Sequence, residues 1–418
     1  RRGQGQGPPA HGQGTLIGSC TTSSYEDLSR AADVARQALE AGLASRTPFY
    51  VTPGSDRVYA TVERDGILDV LRRMGARILT NSCGPCIGQW ARPDAKAGRV
   101  DSILCSFNRN FPGRNDGLNE TASFLASPEI VTALAFGGRL DFDPLNGALE
   151  TPSGGRFAFA PPKGEELPPG GFAGGDLGFV PPAEDGAGVA VEIAPGSERL
   201  SLLPPFAPWD GKDFERLPVL LKTRGKTTTD HISPAGKWLR YRGHLDRISD
   251  NMFEGAHNAF TGETGKGRDP LTGEAGMPFA CIARRAEERG QALAVIGDDN
   301  YGEGSSREHA AMSPRHLGVK VVIARSFARI HETNLKKQGI LPLVFADPAD
   351  WDKVEERDLV SVRGLAGLAP GKPVEVVLHK EDGREVVLRT VHSLTSKQIG
   401  WWKAGSALNA LGAARGDT

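Results

Sequence analysis

Cysteine is scarce in this chain: five in 418 residues, at Cys20, Cys83, Cys86, Cys105 and Cys281. A sparse, odd set is not the disulfide framework of a small secreted fold. In a chain of this length it points to a reducing compartment and to thiols kept for metal binding or catalysis. Net charge is also nearly missing, at −1, so the chain as a whole has no electrostatic pull on nucleic acid or an anionic membrane. No apolar run approaches the roughly 20 residues that span a bilayer, and a soluble globular chain is expected. Residues 1–14 are rich in Gly, Gln, Pro and Arg and have no initiating methionine. They lack both the apolar centre of a secretory signal and the serine-rich amphipathic character of a transit peptide, and are expected to be a disordered or non-native start.

From residue 15 to residue 149 the pattern alternates strand and helix. Thr15–Ile17 reads as a strand that runs into the Cys20 loop. Ser24 caps the next helix, with Asp27 placed for a capping box, and Leu28, Ala31, Ala35, Ala38 and Leu39 follow at helical spacing. Strands are expected at 48–52, 77–80 and 101–106, and helices at 59–74 and from Pro128 to Ala135. Chemistry-bearing loops that follow strands, with helices between, predict a parallel-sheet α/β domain. Residues 150–215 contain Pro-Pro pairs at 161–162, 168–169, 181–182 and 204–205 among many glycines. Such chain cannot sustain a helix and is expected to be an extended linker. A second domain, 216–418, is expected to hold buried strands at 219–223, 293–296, 320–324 and 341–345. Asp382-Gly383 supplies a hairpin turn there, and helices are expected at 306–312, 327–337 and 397–411. No internal repeat is present.

Cys83-Gly84-Pro85-Cys86 is ambiguous by itself: a redox pair, half of a zinc site, or two ligands of an iron–sulfur cluster. No second C-x-x-C and no H-x-x-x-H is there to complete a zinc site. Cys20, Cys83 and Cys86 would hold three corners of a cube and leave the fourth iron open. Gly302-Glu303-Gly304-Ser305-Ser306-Arg307 is a glycine-rich turn leading toward a helix. Ser305 is the candidate base there, if amides, a helix start and Arg307 stabilise its alkoxide; the plain alternative is that Ser305 and Ser306 only cap the helix. Guanidinium groups bind carboxylates in bidentate fashion, which gives Arg109, Arg114, Arg242 and Arg307 a chemical sense.

The segments Ile17–Cys20, Cys83–Trp90, Asn108–Asp116, Thr228–Ser233 and Gly302–Arg307 stand in the order of the aconitase family, and the chain resembles its mitochondrial-type branch. Residues 327–339 and Cys86-Ile87-Gly88-Gln89-Trp90 favour that branch over isopropylmalate isomerases and homoaconitases. The resemblance covers about Thr15 to Ala410 and corresponds to the last two of four family domains, the cluster-binding domain and the swivelling C-terminal β/α domain. It implies a lyase of the tricarboxylic acid cycle that isomerises citrate and isocitrate through cis-aconitate. It further implies a 4Fe-4S cluster on Cys20, Cys83 and Cys86, Ser305 as base, and Asn108, Arg109, Arg114, Asp230, Ser233, Arg242, Ser306 and Arg307 around the tricarboxylic acid substrate. His231 is expected to be structural. The absent front half carries the family's Asp-His acid pairs, so a fragment inactive alone is expected, with those N-terminal domains as its missing partner. A mitochondrial matrix or bacterial cytoplasmic location follows from the resemblance. A 2-methylisocitrate dehydratase is the nearest enzymatic alternative. RNA binding by the cluster-free form is the alternative of another class, and the charge balance disfavours it. Two departures stand out: Thr22, where the family has asparagine, with a looser hydrogen bond expected near the cluster, and Cys105, read as either a buried or an oxidation-sensitive thiol.

Overall fold

A computed structural model describes residues 14–92, 95, 98–174, 178–186 and 188–415. Apart from Gly14, the expected disordered start lies outside the described residues. The chain forms two compact units, Arg1–Val189 and Ala190–Thr418.

The first unit is built on a five-stranded parallel sheet, β1 (Gly14–Ile17), β2 (Phe49–Val51), β3 (Ala76–Ile78), β4 (Asp101–Cys105) and β5 (Thr121–Leu125), in the order β3-β2-β1-β4-β5. β1 is followed by α1 (Tyr25–Glu40), whose Ser24 and Asp27 form the expected capping box. α2 (Asp56–Arg64) and α3 (Ile67–Arg73) lie between β2 and β3, and α4 (Pro128–Gly137) follows β5. The single helix expected over 59–74 is two, because Gly66 takes a left-handed conformation (φ 73°) that ends one and starts the other. β5 was not anticipated: its sequence, Thr-Ala-Ser-Phe-Leu, is only partly buried and carries little strand signal.

Strand periodicity sorts the sheet into two faces. Ile17, Phe49, Val51 and Leu104 meet α1, α3 and α4 in the main core. Leu16, Tyr50, Ile103 and Cys105 face the other way and are covered by Cys86, Trp90 and Phe107. One face is therefore closed by helices and the other by the loops that carry the candidate chemistry. Beyond α4, β6 (Leu149–Glu150) and β7 (Arg156–Phe157) form a short hairpin. The proline-rich chain then runs along α1, its Ala160, Lys163 and Glu165 amides donating to Gln37, Asp33 and Ser29 side chains.

The second unit is a closed barrel. Its strands are β8 (Phe214–Lys222), β11 (Leu293–Gly297), β12 (Val319–Ala324), β13 (Leu341–Phe345), β14 (Leu359–Arg363), β15 (Val374–His379) and β16 (Glu385–Val391), ordered β11-β12-β13-β16-β15-β14-β8. Four strands are parallel and the rest antiparallel. The lumen is filled by side chains such as Val219, Ile296, Ile323, Leu343, Val362 and Leu378. Residues of the opposite parity, among them Leu220, Val295 and Val322, pack outward on α7 (Phe279–Glu288), α8 (His309–His316) and α9 (Arg329–Lys337). Short elements complete the unit: α5 (Thr229–Ile232), α6 (Leu245–Ile248), and the hairpin β9 (Lys266–Arg268) with β10 (Ala275–Pro278). The expected turn at Asp382-Gly383 is present, Gly383 having φ 85°. The expected last helix is again two, α10 (Ser396–Lys403) and α11 (Ala407–Arg415), separated at Gly405, whose φ is 92°.

Three barrel strands share a polar array that resembles a nucleophile, base and acid by residue type alone. His379 Nε2 lies 2.8 Å from Ser361 Oγ, and His379 Nδ1 lies 3.0 Å from Glu385 Oε1. Ser361 is fully buried, however, and its hydroxyl donates to Glu215 Oε2 at 2.8 Å while accepting from the Arg216 amide. A hydroxyl whose proton is given to a carboxylate is held as a pin between strands, not poised for attack. Ser361→Ala should therefore leave the buried His379 Nε2 without this partner and destabilise the chain by about 1–3 kcal/mol in urea denaturation. The wild-type serine should resist a fluorophosphonate probe, and labelling at Ser361 would contradict this assignment.

Candidate active site

In the sheet of the first unit the strands run outward from β1 in one direction and from β4 in the other. Such a reversal opens a crevice at the carboxyl ends of the two central strands. The loops that leave those ends are Gly18–Ser24, with Cys20, and Ser106–Asp116, with Asn108, Arg109 and Arg114. Ser106 joins them: the Gly18 amide donates to its Oγ at 3.1 Å, and that hydroxyl donates back to the Gly18 carbonyl at 2.8 Å. Thr22 Oγ1 donates to the same carbonyl at 2.5 Å. Thr22 is thus a tie within the Cys20 loop.

Cys83 precedes a single 3-10 turn, Gly84–Ile87, and Cys86 lies within it, its amide donating to the Cys83 carbonyl at 2.6 Å. Cys20 and Cys83 are exposed and Cys86 is buried. This turn is fastened to the 106–116 loop. Asn115 Nδ2 donates to the Pro85 carbonyl at 3.2 Å, and Asn115 Oδ1 accepts from Ser123 on β5. Gly88, at φ 81°, comes so near that a Cβ there would lie 3.3 Å from the Gly113 carbonyl. Arg114 is buried, with its guanidinium over Phe111 and Nη2 4.0 Å from Cys86 Sγ. Asn108 is exposed and Arg109 half-buried on the same loop.

An ion network that the sequence reading missed lies beneath this arrangement. Arg92 Nη2 meets Asp101 Oδ2 at 2.6 Å and Asp116 Oδ2 at 3.2 Å. Asp101 also takes Arg99 Nε at 2.7 Å, and Asp116 accepts from Thr121 Oγ1 at 2.8 Å. The signal for it in the sequence is Asp116, which closes the Asn108–Asp116 segment.

Among the described residues, no group of three or more Cys, His, Asp or Glu side chains lies close enough to hold a metal ion. A cluster places a different iron under each thiolate and so spreads its ligands more widely than one ion does. Three free thiols on two loops at one sheet edge are donors of the kind a cluster needs. Cys105, by contrast, is fully buried on β4, and burial pushes its thiol up to about 11. Of the two readings of this residue, the buried and unreactive one holds.

In the second unit, the Tyr301–Arg307 turn is pinned from below and from the side. Gly302 has φ 82°, and a Cβ there would clash with the His331 ring. Its amide donates to the Thr227 carbonyl at 2.7 Å, and the Thr229 amide donates to the Glu303 carbonyl at 2.8 Å. Thr229 Oγ1 donates to the Ser305 carbonyl at 3.0 Å. Arg307 Nη1 pairs with Asp230 Oδ1 at 2.6 Å and donates to the Ser233 carbonyl at 3.0 Å. These contacts bring Asp230, Ser233, Ser305 and Arg307 together, with Ser306 exposed beside them. The Ser233 hydroxyl is buried against Asn251 Oδ1. Arg242 is exposed, and its carbonyl lies 2.9 Å from His309 Nε2.

The helix expected from Ser306 begins instead at His309, with no side-chain cap. Ser305 and Ser306 therefore do not cap it, and the turn reaches the helix three residues later than its Ser-Ser pair suggests. His231 is structural as expected: its Nδ1 accepts from the Thr228 amide, and its own amide donates to Thr228 Oγ1. Asp298, in the acidic stretch before the turn, pairs with Arg325 at 2.9 Å.

A profile of the aconitase family (aconitate hydratase) matches residues 11–138, and one of the aconitase C-terminal domain matches residues 217–348. The chain is 53% identical over 397 residues to the mitochondrial aconitate hydratase of Gracilaria gracilis, covering 95% of this chain and 51% of that protein. It is 52% identical to a probable mitochondrial aconitate hydratase of Caenorhabditis elegans, with the same coverage of both. The mitochondrial aconitate hydratase of Saccharomyces cerevisiae is 51% identical, again over 95% of this chain and 51% of the relative. The chain thus spans about half the length of the curated relatives it matches. A solved 3-isopropylmalate dehydratase from Methanocaldococcus jannaschii aligns at 20% identity over 49% of this chain and 96% of its own, with a TM-score of 0.32.

His331 gives the serine turn a pH signature. It is buried, neither ring nitrogen has a partner among the described residues, and burial pushes it down from 6.5 to about 4. The unfolded ring takes up a proton near pH 6.5 while the folded one resists, so its contribution is complete above that pH and is lost toward pH 4. His231, His309 and His392 are also lowered by burial and act in the same direction. Urea midpoints of wild type should therefore fall between pH 6.5 and 5, and His331→Phe should flatten that slope. Gly302→Ala should cost at least about 1 kcal/mol, and an added His331→Ala should recover part of the loss by making room. Additive effects of the two changes would refute the contact.

Proposed function

Because this chain belongs to the aconitase family, we propose that it is the part of an aconitate hydratase that binds the cluster and supplies the base in the interconversion of citrate and isocitrate. The observation that carries the reading is the fastening of the cysteine turn to the arginine loop, which puts the Arg114 guanidinium 4.0 Å from Cys86 Sγ. A cation that can take a carboxylate is thereby held against a ligand of the proposed cluster. A 4Fe-4S cluster on Cys20, Cys83 and Cys86 would supply an open iron as a Lewis acid for the substrate hydroxyl.

The remaining roles belong to this chain's own residues. Asn108, Arg109 and Arg114 bind carboxylate on the first unit, and Arg242, Ser306 and Arg307 do so on the second. Ser305 removes the proton next to the carboxylate, in a turn whose backbone is fixed by Thr227, Thr229 and His331. Asp230 and Ser233 join the substrate-binding set through Arg307, whose guanidinium they orient. The acid that protonates the departing hydroxyl is assigned to the part of the relatives' length that this chain does not span. A mitochondrial matrix or bacterial cytoplasmic setting accords with this reading.

Anaerobic treatment of the chain with iron and sulfide should produce thiolate–iron absorbance, and Cys83→Ser should abolish it. The chain alone should not turn over cis-aconitate, whereas joined to the remaining half of a relative it should, and faster than 2-methyl-cis-aconitate. In that joined enzyme Arg307→Lys should lower kcat/KM by roughly 10- to 150-fold, the worth of one arginine–carboxylate hydrogen bond. Unchanged kinetics would remove Arg307 from the site, and a preference for the methylated substrate would replace the proposed reaction.

A further inference from the structure

Among the described residues, three polar contacts and one close backbone approach join residues 83–92 to residues 108–117, and of those three the Arg92–Asp116 contact pairs opposite charges. The side chains of Arg92, Asp101 and Asp116 are 1%, 2% and 1% exposed. Asp116 cannot turn away from its partner, because the Leu118 amide at 3.1 Å and Thr121 Oγ1 at 2.8 Å hold its two oxygens. Asp101 is likewise held by Arg99 Nε at 2.7 Å.

This guanidinium is poorly satisfied for its burial. Both carboxylates are met by Nη2, and among the described residues Nε and Nη1 have no hydrogen-bond partner. If packing alone were at stake, an apolar side chain of similar volume would fill the space without the desolvation penalty of a buried cation. What an apolar side chain could not do is tie Asp101, at the start of β4, to Asp116, at the far end of the loop that β4 emits. Arg92 also lies 5.8 Å from the Trp90 ring, and that ring packs on Tyr50 and covers Gly14 at the start of β1. The guanidinium therefore sits where the cysteine segment, the arginine loop and the central strands meet.

We propose that Arg92 is a positioning residue that holds the Cys86 turn and the 108–117 loop in one register, acting through Asp116. Its function rests on the reading of Cys86 and Arg114 as parts of one site. Arg92 fixes where the Cys86 sulfur and the Arg114 guanidinium lie relative to each other, and touches neither.

Thiol labelling of the reduced chain with iodoacetamide, resolved by peptide mass spectrometry, tests this without cluster or substrate. Cys281, exposed on α7 of the other unit, is the reference. Arg92→Met should raise the labelling of buried Cys86 by about tenfold or more, while Cys105 on β4 keeps its protection. Asp116→Asn should act in the same direction, and the double variant should be no worse than Arg92→Met alone. Arg92→Lys should stay within about threefold of wild type, because one nitrogen makes both carboxylate contacts. Unchanged labelling of Cys86 in Arg92→Met would overturn the proposal. So would release of Cys105 in step with Cys86, which marks a general loss of the sheet. Where Arg92→Met does not fold, Asp116→Asn and Arg92→Lys are judged by the same two cysteines. A chain that responds as expected but takes up no iron and sulfide would refute the proposed cluster and leave this role intact.

Discussion

The parallel pairing of β1 with β4, which sets Gly14 opposite Ile103 and Leu16 opposite Cys105, is the constraint on which the first unit depends. It places two strands of distant sequence side by side at the centre of a sheet whose other strands run outward from them. A parallel pair needs a long crossover, and here that crossover contains the whole segment from Cys20 to Arg92. The cysteines and the arginine loop are therefore brought to one edge by topology before any side chain makes a contact. Polar contacts through Ser106, Asn115 and Asp116 then fasten these loops to one another.

The second unit meets a similar demand by different means. Its serine turn lies after β11, on a barrel whose lumen is filled and cannot serve as a cavity. Precision comes from below, where a glycine with no side chain rests on a histidine ring, and from a neighbouring short helix that supplies Asp230 and Thr229. The cost is a buried imidazole with unpartnered nitrogens. Such a group is tolerable only while neutral, which links the integrity of the turn to proton concentration.

Much of this was legible in the sequence because the signals were local. The capping box at Ser24 and Asp27, the Asp382-Gly383 turn and the apolar strands of the barrel each rest on a few neighbouring residues. The helix breaks at Gly66 and Gly405 were missed because the apolar period continues across them, and only φ decides. β5 escaped notice because an edge strand with a half-exposed Thr-Ala-Ser sequence has almost no pattern. Within the site, the motif residues could be named, but their partners could not. Arg92 and His331 look like an ordinary basic residue and an ordinary histidine until the chain folds and seals them in. Closure of the barrel by β14 on β8 is likewise a long-range event with no local mark.

The burial of Cys105 has a consequence for how this chain would age under oxidative stress. With its thiol raised to about 11 by burial, Cys105 stays protonated at neutral pH. An oxidant arriving from solvent meets the exposed Cys20, Cys83 and Cys281 instead. Injury is thus directed to positions that a reductase can reach in the folded protein. The strand that anchors the sheet is spared, and loss of function need not entail loss of the fold.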